Sequence, residues 1–425
     1  MAGHIITIVG GKGGVGKSQV AANLAFAFAA ENRQKTLLLD FDQKACGDQN
    51  IITGLRSKKN LKDLSEFNGS IDPKTINMFI GQHKMGVHYI GMPTEPAIAQ
   101  DINPEGLGKV LKGITNLYPI TIIDVGSELN ELTLKAMEFS TMIAIVVTPD
   151  LLAVNQSKRL YSDLITMLFP KEMMFVLLNQ FQKGHPVTPE TIARQIGRPV
   201  FGVIPKDDQG CIRGLSSSNP IITIAKNAPF SQGILEIVRQ IKQKSVLISL
   251  ARLKKPDDVK SKRLDVKKSS SGRPGRDPWT DLKSRIHRAL VEEMDMKKQD
   301  SDDEQAQIIL RERSKKLIVE LLGKEDTKGI LNTREDMNNI VKQILDEALG
   351  LGPLESLLAD KTVTEIMVVG PDKIYYEQSG KNIRSDVTFT NDRQVLSVIE
   401  RIVSRVGRRI DEKAPYVDAR LEDGS

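Results

Sequence analysis

The chain has 425 residues, 40% of them hydrophobic and 27% charged, with a net charge of +6 and two cysteines. That length allows two or three domains with cores of their own, and so mild a charge does not by itself imply nucleic acid. Cys46 and Cys211 rule out a disulfide framework and fit a reducing cytoplasm. The chain runs straight into a strand without a basic and apolar leader, and its longest apolar runs are strand-sized, so neither a secretory signal nor a membrane span is expected.

In chain order, apolar strand-like runs are predicted at 4–10, 35–40, 86–91, 120–125, 141–148, 173–179 and 199–204, alternating with helical patterns. Several are unbroken Ile/Leu/Val runs, as parallel strands covered on both faces require. The expected fold is α/β, a doubly wound and mostly parallel sheet with ligands at the carboxyl ends of its strands. From 254 to 276 the sequence turns basic and rich in Ser and Pro, which reads as a solvated linker. Trp279 opens a second region. Helices are expected at 279–299, 303–322 and 334–349, strands at 364–370, 373–378 and 386–389, a helix at 392–406 and an extended piece at 417–421. This is a smaller α+β domain. The domain division is 1–250, a linker at 251–278, and 279–425.

Residues 10–18 read GGKGGVGKS, between an apolar run and an Ala-rich helical stretch. The part from Gly11 to Ser18 meets the G-x-x-x-x-G-K-[ST] pattern in the strand–loop–helix setting that makes it a phosphate-binding loop. Its glycines let successive N–H groups face phosphate oxygens, and the following helix adds the positive end of its dipole. The candidate nucleotide set is Gly11, Gly13, Gly14, Val15, Gly16, Lys17, Ser18 and Gln19. Lys17 would reach the β- and γ-phosphates and Ser18 would ligate Mg²⁺. An ordinary loop does not need a second lysine, Lys12. Three buried strands add to the site: KTLLLDFD delivers Asp40 and Asp42, PITIIDVG ends on Asp124, and MMFVLLN ends on Asn179. Beside a complete phosphate loop, Asp42 and Asp124 read as Mg²⁺ and water residues. Asp40 reads as a loop support, and Asn179 as an adenine contact or a turn residue.

KGGVGKS at 12–18, DFD at 40–42, IIDVG at 122–126, LLN at 177–179 and GVIP at 202–205 resemble the MinD/ParA family of deviant Walker ATPases over about 240 residues. The resemblance implies ATP sandwiched in a homodimer, with Lys12 acting on the partner's phosphates and Lys17 on its own. Asp42 would orient the attacking water, and Ser18, Asp42 and Asp124 would hold Mg²⁺, partly through water. After Asp42 the chain reads QKACGDQN, which departs from the commonest family pattern and is closer to the subgroup that positions pili and secretion machines. Neither the cysteines nor the five histidines have metal-ligand spacing, so no iron–sulfur cluster is expected. A helix at 233–255 carries Val246, Leu250 and Leu253 on one stripe, ringed by Lys242, Lys244, Arg252, Lys254 and Lys255. It reads either as the last core helix running into the linker or as an amphipathic element for the inner face of the cell membrane.

Residues 350–377 (GLGPLESLLADKTVTEIMVVGPDKIYYE) and 401–425 (RIVSRVGRRIDEKAPYVDARLEDGS) resemble the N-terminal domain of CpaF-type ATPases, which power Tad pili and are similar to type II/IV secretion motors. The resemblance implies a hexamer if a motor core follows Ser425, with Arg408, Arg409 and Arg420 capping a neighbour's cleft or pairing with Asp411, Glu412 and Asp418. The expectation is an ATP-hydrolysing dimerisation switch for a pilus or secretion platform, cytoplasmic or peripheral at the membrane. The alternatives are a DNA-partition ATPase and a nonhydrolysing scaffold. Nucleic acid is not the expected partner.

Overall fold

The computed structural model describes residues 3–32, 34–253, 278–293, 304–327, 329–389 and 392–405. The chain divides into two compact units, Met1–Val266 and Lys267–Ser425.

The first unit is built on eight strands: β1 (His4–Val9), β2 (Thr36–Asp40), β3 (Gly81–Gln82), β4 (Val87–Ile90), β5 (Ile120–Asp124), β6 (Met142–Val147), β7 (Met174–Phe181) and β8 (Val200–Pro205). Their order is β3-β4-β2-β5-β1-β6-β7-β8, and every pair is parallel except β3–β4. Side chains alternate between two cores, as a pleated strand requires. Ile6, Ile8, Leu38 and Ile122 enter one core, while Ile5, Val9, Leu37 and Ile123 enter the other. Helix α1 (Lys17–Asn32) is apolar nearly all round and is correspondingly buried, from Val20 to Ala29. Its many alanines allow that helix to lie close against the sheet. The doubly wound sheet expected from the sequence is present. The strand β3 was not foreseen, because two residues at an edge carry no periodicity.

β1 lies between β5 and β6, so the chain winds away from it in both directions. The crevice beyond its carboxyl end is the topological switch point where such sheets bind ligands.

The long helix expected at 233–255 is two helices, Pro229–Gln243 and Val246–Leu253, with Ser245 between them at φ 48°. Leu247 and Leu250 are buried in the sheet core and Val246 packs against it. Val246 and Leu250 of the apolar stripe thus face the protein, while Lys254 and Lys255 lie outside the described residues.

In the second unit, the helices Pro278–Glu293, Glu304–Lys324 and Arg334–Leu349 pack against one another. A three-stranded antiparallel sheet follows, in the order β11 (Lys381–Arg384), β10 (Lys373–Gln378), β9 (Val363–Gly370). The α+β architecture agrees with the sequence, but the third strand does not fall at 386–389. Ser379 and Gly380, at φ 56° and 75°, form a two-residue hairpin that pairs Lys381 with Gln378 at once. Phe389 instead enters a small core with Ile374 and Val398, the latter from the helix Asp392–Arg405. Glu347, 4% exposed, joins three helices. Its carboxylate pairs with Lys283 at 2.5 Å and accepts from Gln394 at 2.8 Å, and its carbonyl accepts from Arg401 at 2.9 Å. The expected linker at 254–276, the extended piece at 417–421 and the arginines Arg408, Arg409 and Arg420 lie outside the described residues.

Candidate nucleotide site

The loop 10–16 joins β1 to α1. Val15 is buried and anchors it, while Gly13 and Gly14 are exposed. Lys17 begins the helix and is 7% exposed, so its stem is enclosed and only the ammonium end can meet a ligand. Gly16 sits at φ 87°, and a Cβ there would lie 2.5 Å from the Asn179 amide nitrogen. Asn179 explains the constraint. From β7 its Nδ2 donates to the Val15 carbonyl at 2.8 Å and holds the loop from beneath. Its Oδ1 is buried without a partner. Gln19 is half-buried in the first turn of α1, and its carbonyl accepts from Asn23 at 2.8 Å.

Across the crevice, Asp40 and Asp124 are register partners on β2 and β5, each 1% exposed. Burial first, and then each other's charge for Asp40, drives both carboxyls above the usual carboxylate range. For Asp124 this is opposed by hydrogen bonds from Gln49 and Ser18 and by the nearby Lys17 ammonium. Asp42 is less buried. Its N–H donates to Asp40 Oδ1 at 3.1 Å, while its own Oδ1 accepts from Lys44 and Ala45 N–H at 3.0 and 3.1 Å. A side chain at Gly126 would place a Cβ 2.9 Å from that oxygen, so the close approach needs glycine.

Gln49 has the most central contacts of the group, and no motif announces it. It lies in helix α2 (Asp48–Thr53), fully buried, and its Nε2 donates to the Ser18 carbonyl at 3.0 Å and to Asp124 Oδ2 at 2.7 Å. One amide therefore ties the segment after Asp42 to both the loop helix and the strand-end carboxylate.

Lys12 lies at the opposite rim, 38% exposed, with Nζ 3.5 Å from Asp150 Oδ1. Asp150 also accepts from Thr148 at 2.6 Å and caps the helix Leu151–Thr166 through Ala153 N–H. The lysine contact is long and open to water, so it is a weak restraint.

The buried oxygens of Asp40, Gln49 and Asp124 include three without partners, Oδ2, Oε1 and Oδ1 respectively. Two adjacent buried carboxyls, the unpaired Gln49 amide oxygen and the Ser18 hydroxyl beside Asp124 form a hard donor set, which fits Mg²⁺. Among the described residues no three His, Cys, Asp or Glu side chains gather into a metal-holding group. A protein cage is therefore not the arrangement. Mg²⁺ instead needs few protein oxygens where phosphates and water complete its shell.

A glycine loop feeding a buried helix, two strand-end carboxyls opposite it and an enclosed lysine define a P-loop nucleotide-binding domain. Residues 6–217 match the CobQ/CobB/MinD/ParA nucleotide binding domain, and residues 347–425 match the type II/IV secretion system protein family. The chain thus carries a MinD/ParA-type domain followed by a type II/IV secretion ATPase domain. Both families hydrolyse ATP, and this protein is an ATPase with a nucleotide-binding first domain. The septum site-determining protein MinD of Thermotoga maritima is 25% identical over 250 residues, covering 57% of this chain and 90% of the relative. An uncharacterized ATP-binding protein of Methanocaldococcus jannaschii is 28% identical over 238 residues, covering 56% and 86%. The fold is similar to that of a ParA family ATPase from Chlorobium tepidum, with a TM-score of 0.51 and 24% identity, over 55% of this chain and 97% of that one. Among the described residues no helix is long and apolar enough to cross a membrane.

Proposed function

We propose that the first domain, 1–250, is an ATP-driven dimerisation switch that positions or regulates a secretion or pilus machine of the Tad type, to which the region 279–425 belongs. The observation that carries this reading is Lys12. It stands at the rim of the phosphate loop, 38% exposed and restrained only by a long contact to Asp150, so its ammonium is available to phosphates bound by a second subunit. MinD/ParA relatives dimerise and secretion ATPases oligomerise, which supports the same reading.

In this account the N–H groups of Gly11, Gly13, Gly14, Val15 and Gly16 cradle the phosphates, Lys17 neutralises them within the subunit, and Gln19 lies at the nucleotide's edge. Ser18, Asp42 and Asp124 hold Mg²⁺, partly through water, and the ion supplies charge neutralisation at the β- and γ-phosphates. Asp42 orients the water that attacks the γ-phosphorus, and Lys12 of the partner meets the charge that spreads over the transferring group. Asn179 holds the loop and offers its free Oδ1 to the adenine. Because one cation arrives from outside, hydrolysis waits for pairing.

Light scattering of the whole chain with ADP, ATP and a nonhydrolysable analogue tests this reading. The wild type pairs with the analogue, and Asp42→Ala pairs with ATP and stays paired. If both remain monomeric with every nucleotide, the switch is wrong.

A further inference from the structure

The segment that follows Asp42 has two sides. Its inner side carries Gln49, which holds Asp124 and the Ser18 carbonyl. On its outer side Gly47, Asn50 and Ile51 wall an open groove of about 600 Å³. The opposite wall is the turn that bears Arg56, Lys58 and Lys59, all exposed. Two of these cations are held in place. Lys58 Nζ donates to the Asn77 carbonyl at 2.9 Å, and Lys59 lies 5.6 Å from the centre of the Phe79 ring. Arg56 pairs with no carboxylate among the described residues. The one carboxylate lining the groove, Asp63, is engaged with the Asn60 N–H in a capping box. Ile51, 58% exposed, adds an apolar shoulder above the buried Met92.

We propose that this groove binds an extended acidic peptide segment of a partner protein, with an apolar side chain against Ile51, and that Gln49 relays its occupancy to the nucleotide site. Charge complementarity selects the occupant, since three fixed or unpaired cations face one engaged carboxylate. The apolar shoulder and the confinement of the charge to one turn favour peptide over a nucleic acid, which needs a broad stripe of phosphate contacts. The relay is short, because Gly47 lies two positions before Gln49 and Asn50 directly after it. That part of the proposal rests on the switch reading, whereas the binding part does not.

The test is selection of displayed peptides of about twelve residues on the whole chain, counter-selected on R56E/K58E/K59E. Enriched sequences should carry net negative charge and one or more large apolar residues. Binding of a synthesised winner, read by fluorescence anisotropy, should weaken about tenfold in the triple variant and about threefold in Arg56→Glu, an exposed single change that keeps the test valid if the triple variant misfolds. It should also weaken between about 50 and 300 mM salt. Enrichment of basic or neutral peptides, no enrichment at all, or equal binding by Arg56→Glu overturns the docking site. So does a DNA duplex held by the wild type and released by Arg56→Glu when no acidic peptide is enriched. A bound peptide that leaves the ATPase rate of the wild type unchanged overturns the relay. Failure of ATP-dependent pairing in light scattering, with peptide binding intact, would instead sink the switch and leave the groove standing.

Discussion

In the first unit Asp40, Gln49, Asp124 and Asn179 each keep a buried oxygen without a protein partner, and all four surround one crevice. In the second unit Glu347 is just as enclosed, yet Lys283, Gln394 and Arg401 take up both its carboxylate oxygens and its carbonyl. Among the described residues, no buried side-chain nitrogen or oxygen of the second unit lacks a partner. A buried polar group left open costs stability, and such a cost persists where a ligand repays it. One that is fully paired specifies packing instead. Single unpartnered atoms also occur elsewhere in the first unit, at His4 and Ser231 for example, so it is the gathering of four around one crevice that marks the site.

The largest effect that could break this comparison is at Lys12. Its replacement by alanine should lower dimer-activated hydrolysis by about a thousandfold, in the range of a cation supplied by a partner, while fluorescent-nucleotide affinity changes only a few-fold. Loss of nucleotide binding would make it an ordinary loop lysine. In the second unit, Glu347→Ala strands Lys283 in a buried position and should destabilise that unit by about 3–5 kcal/mol in urea melts. Nucleotide binding by the first unit should be unaffected. A fall in nucleotide affinity would show that the network serves more than packing.

Gln49→Ala removes the amide that orients Asp124 and should cost about 10–100-fold in Mg²⁺ affinity, read by Mn²⁺ paramagnetic resonance with ADP bound, as is usual for residues that orient a metal ligand. Unchanged metal affinity would reduce Gln49 to packing. The smallest effect is at Asp40. Its asparagine variant removes a buried charge facing Asp124 but keeps the oxygen that accepts from Asp42 N–H. Without nucleotide, the melting temperature of the first unit should rise by about 2–4 °C, the equivalent of some 1 kcal/mol. A fall would mean that the buried pair is already compensated.

What the sequence disclosed follows the same physics. Continuous runs such as Met142–Val147 can only be buried strands, and the loop at 10–18 is legible because its spacing is set by phosphate geometry. The break at Ser245 was not legible, since a positive φ at serine leaves no mark in composition. Gln49 was hidden for a different reason. Its role depends on α2 folding back beneath the loop helix, a contact across 31 positions that no local pattern encodes. Asn179 was visible as a strand-tip amide, but its bond to Val15 required the relative heights of β7 and the loop.

The central claim is that each site is completed by the other subunit's Lys12, and subunit mixing tests it most directly. Lys12→Ala and Asp42→Ala should each be nearly inactive alone. In a mixed pair, the Lys12→Ala subunit contributes an intact Asp42 and receives an intact Lys12 from its partner. An equimolar mixture should therefore recover up to about a quarter of the wild-type rate, the share of intact sites under random pairing. A mixture no more active than its two components would contradict the account.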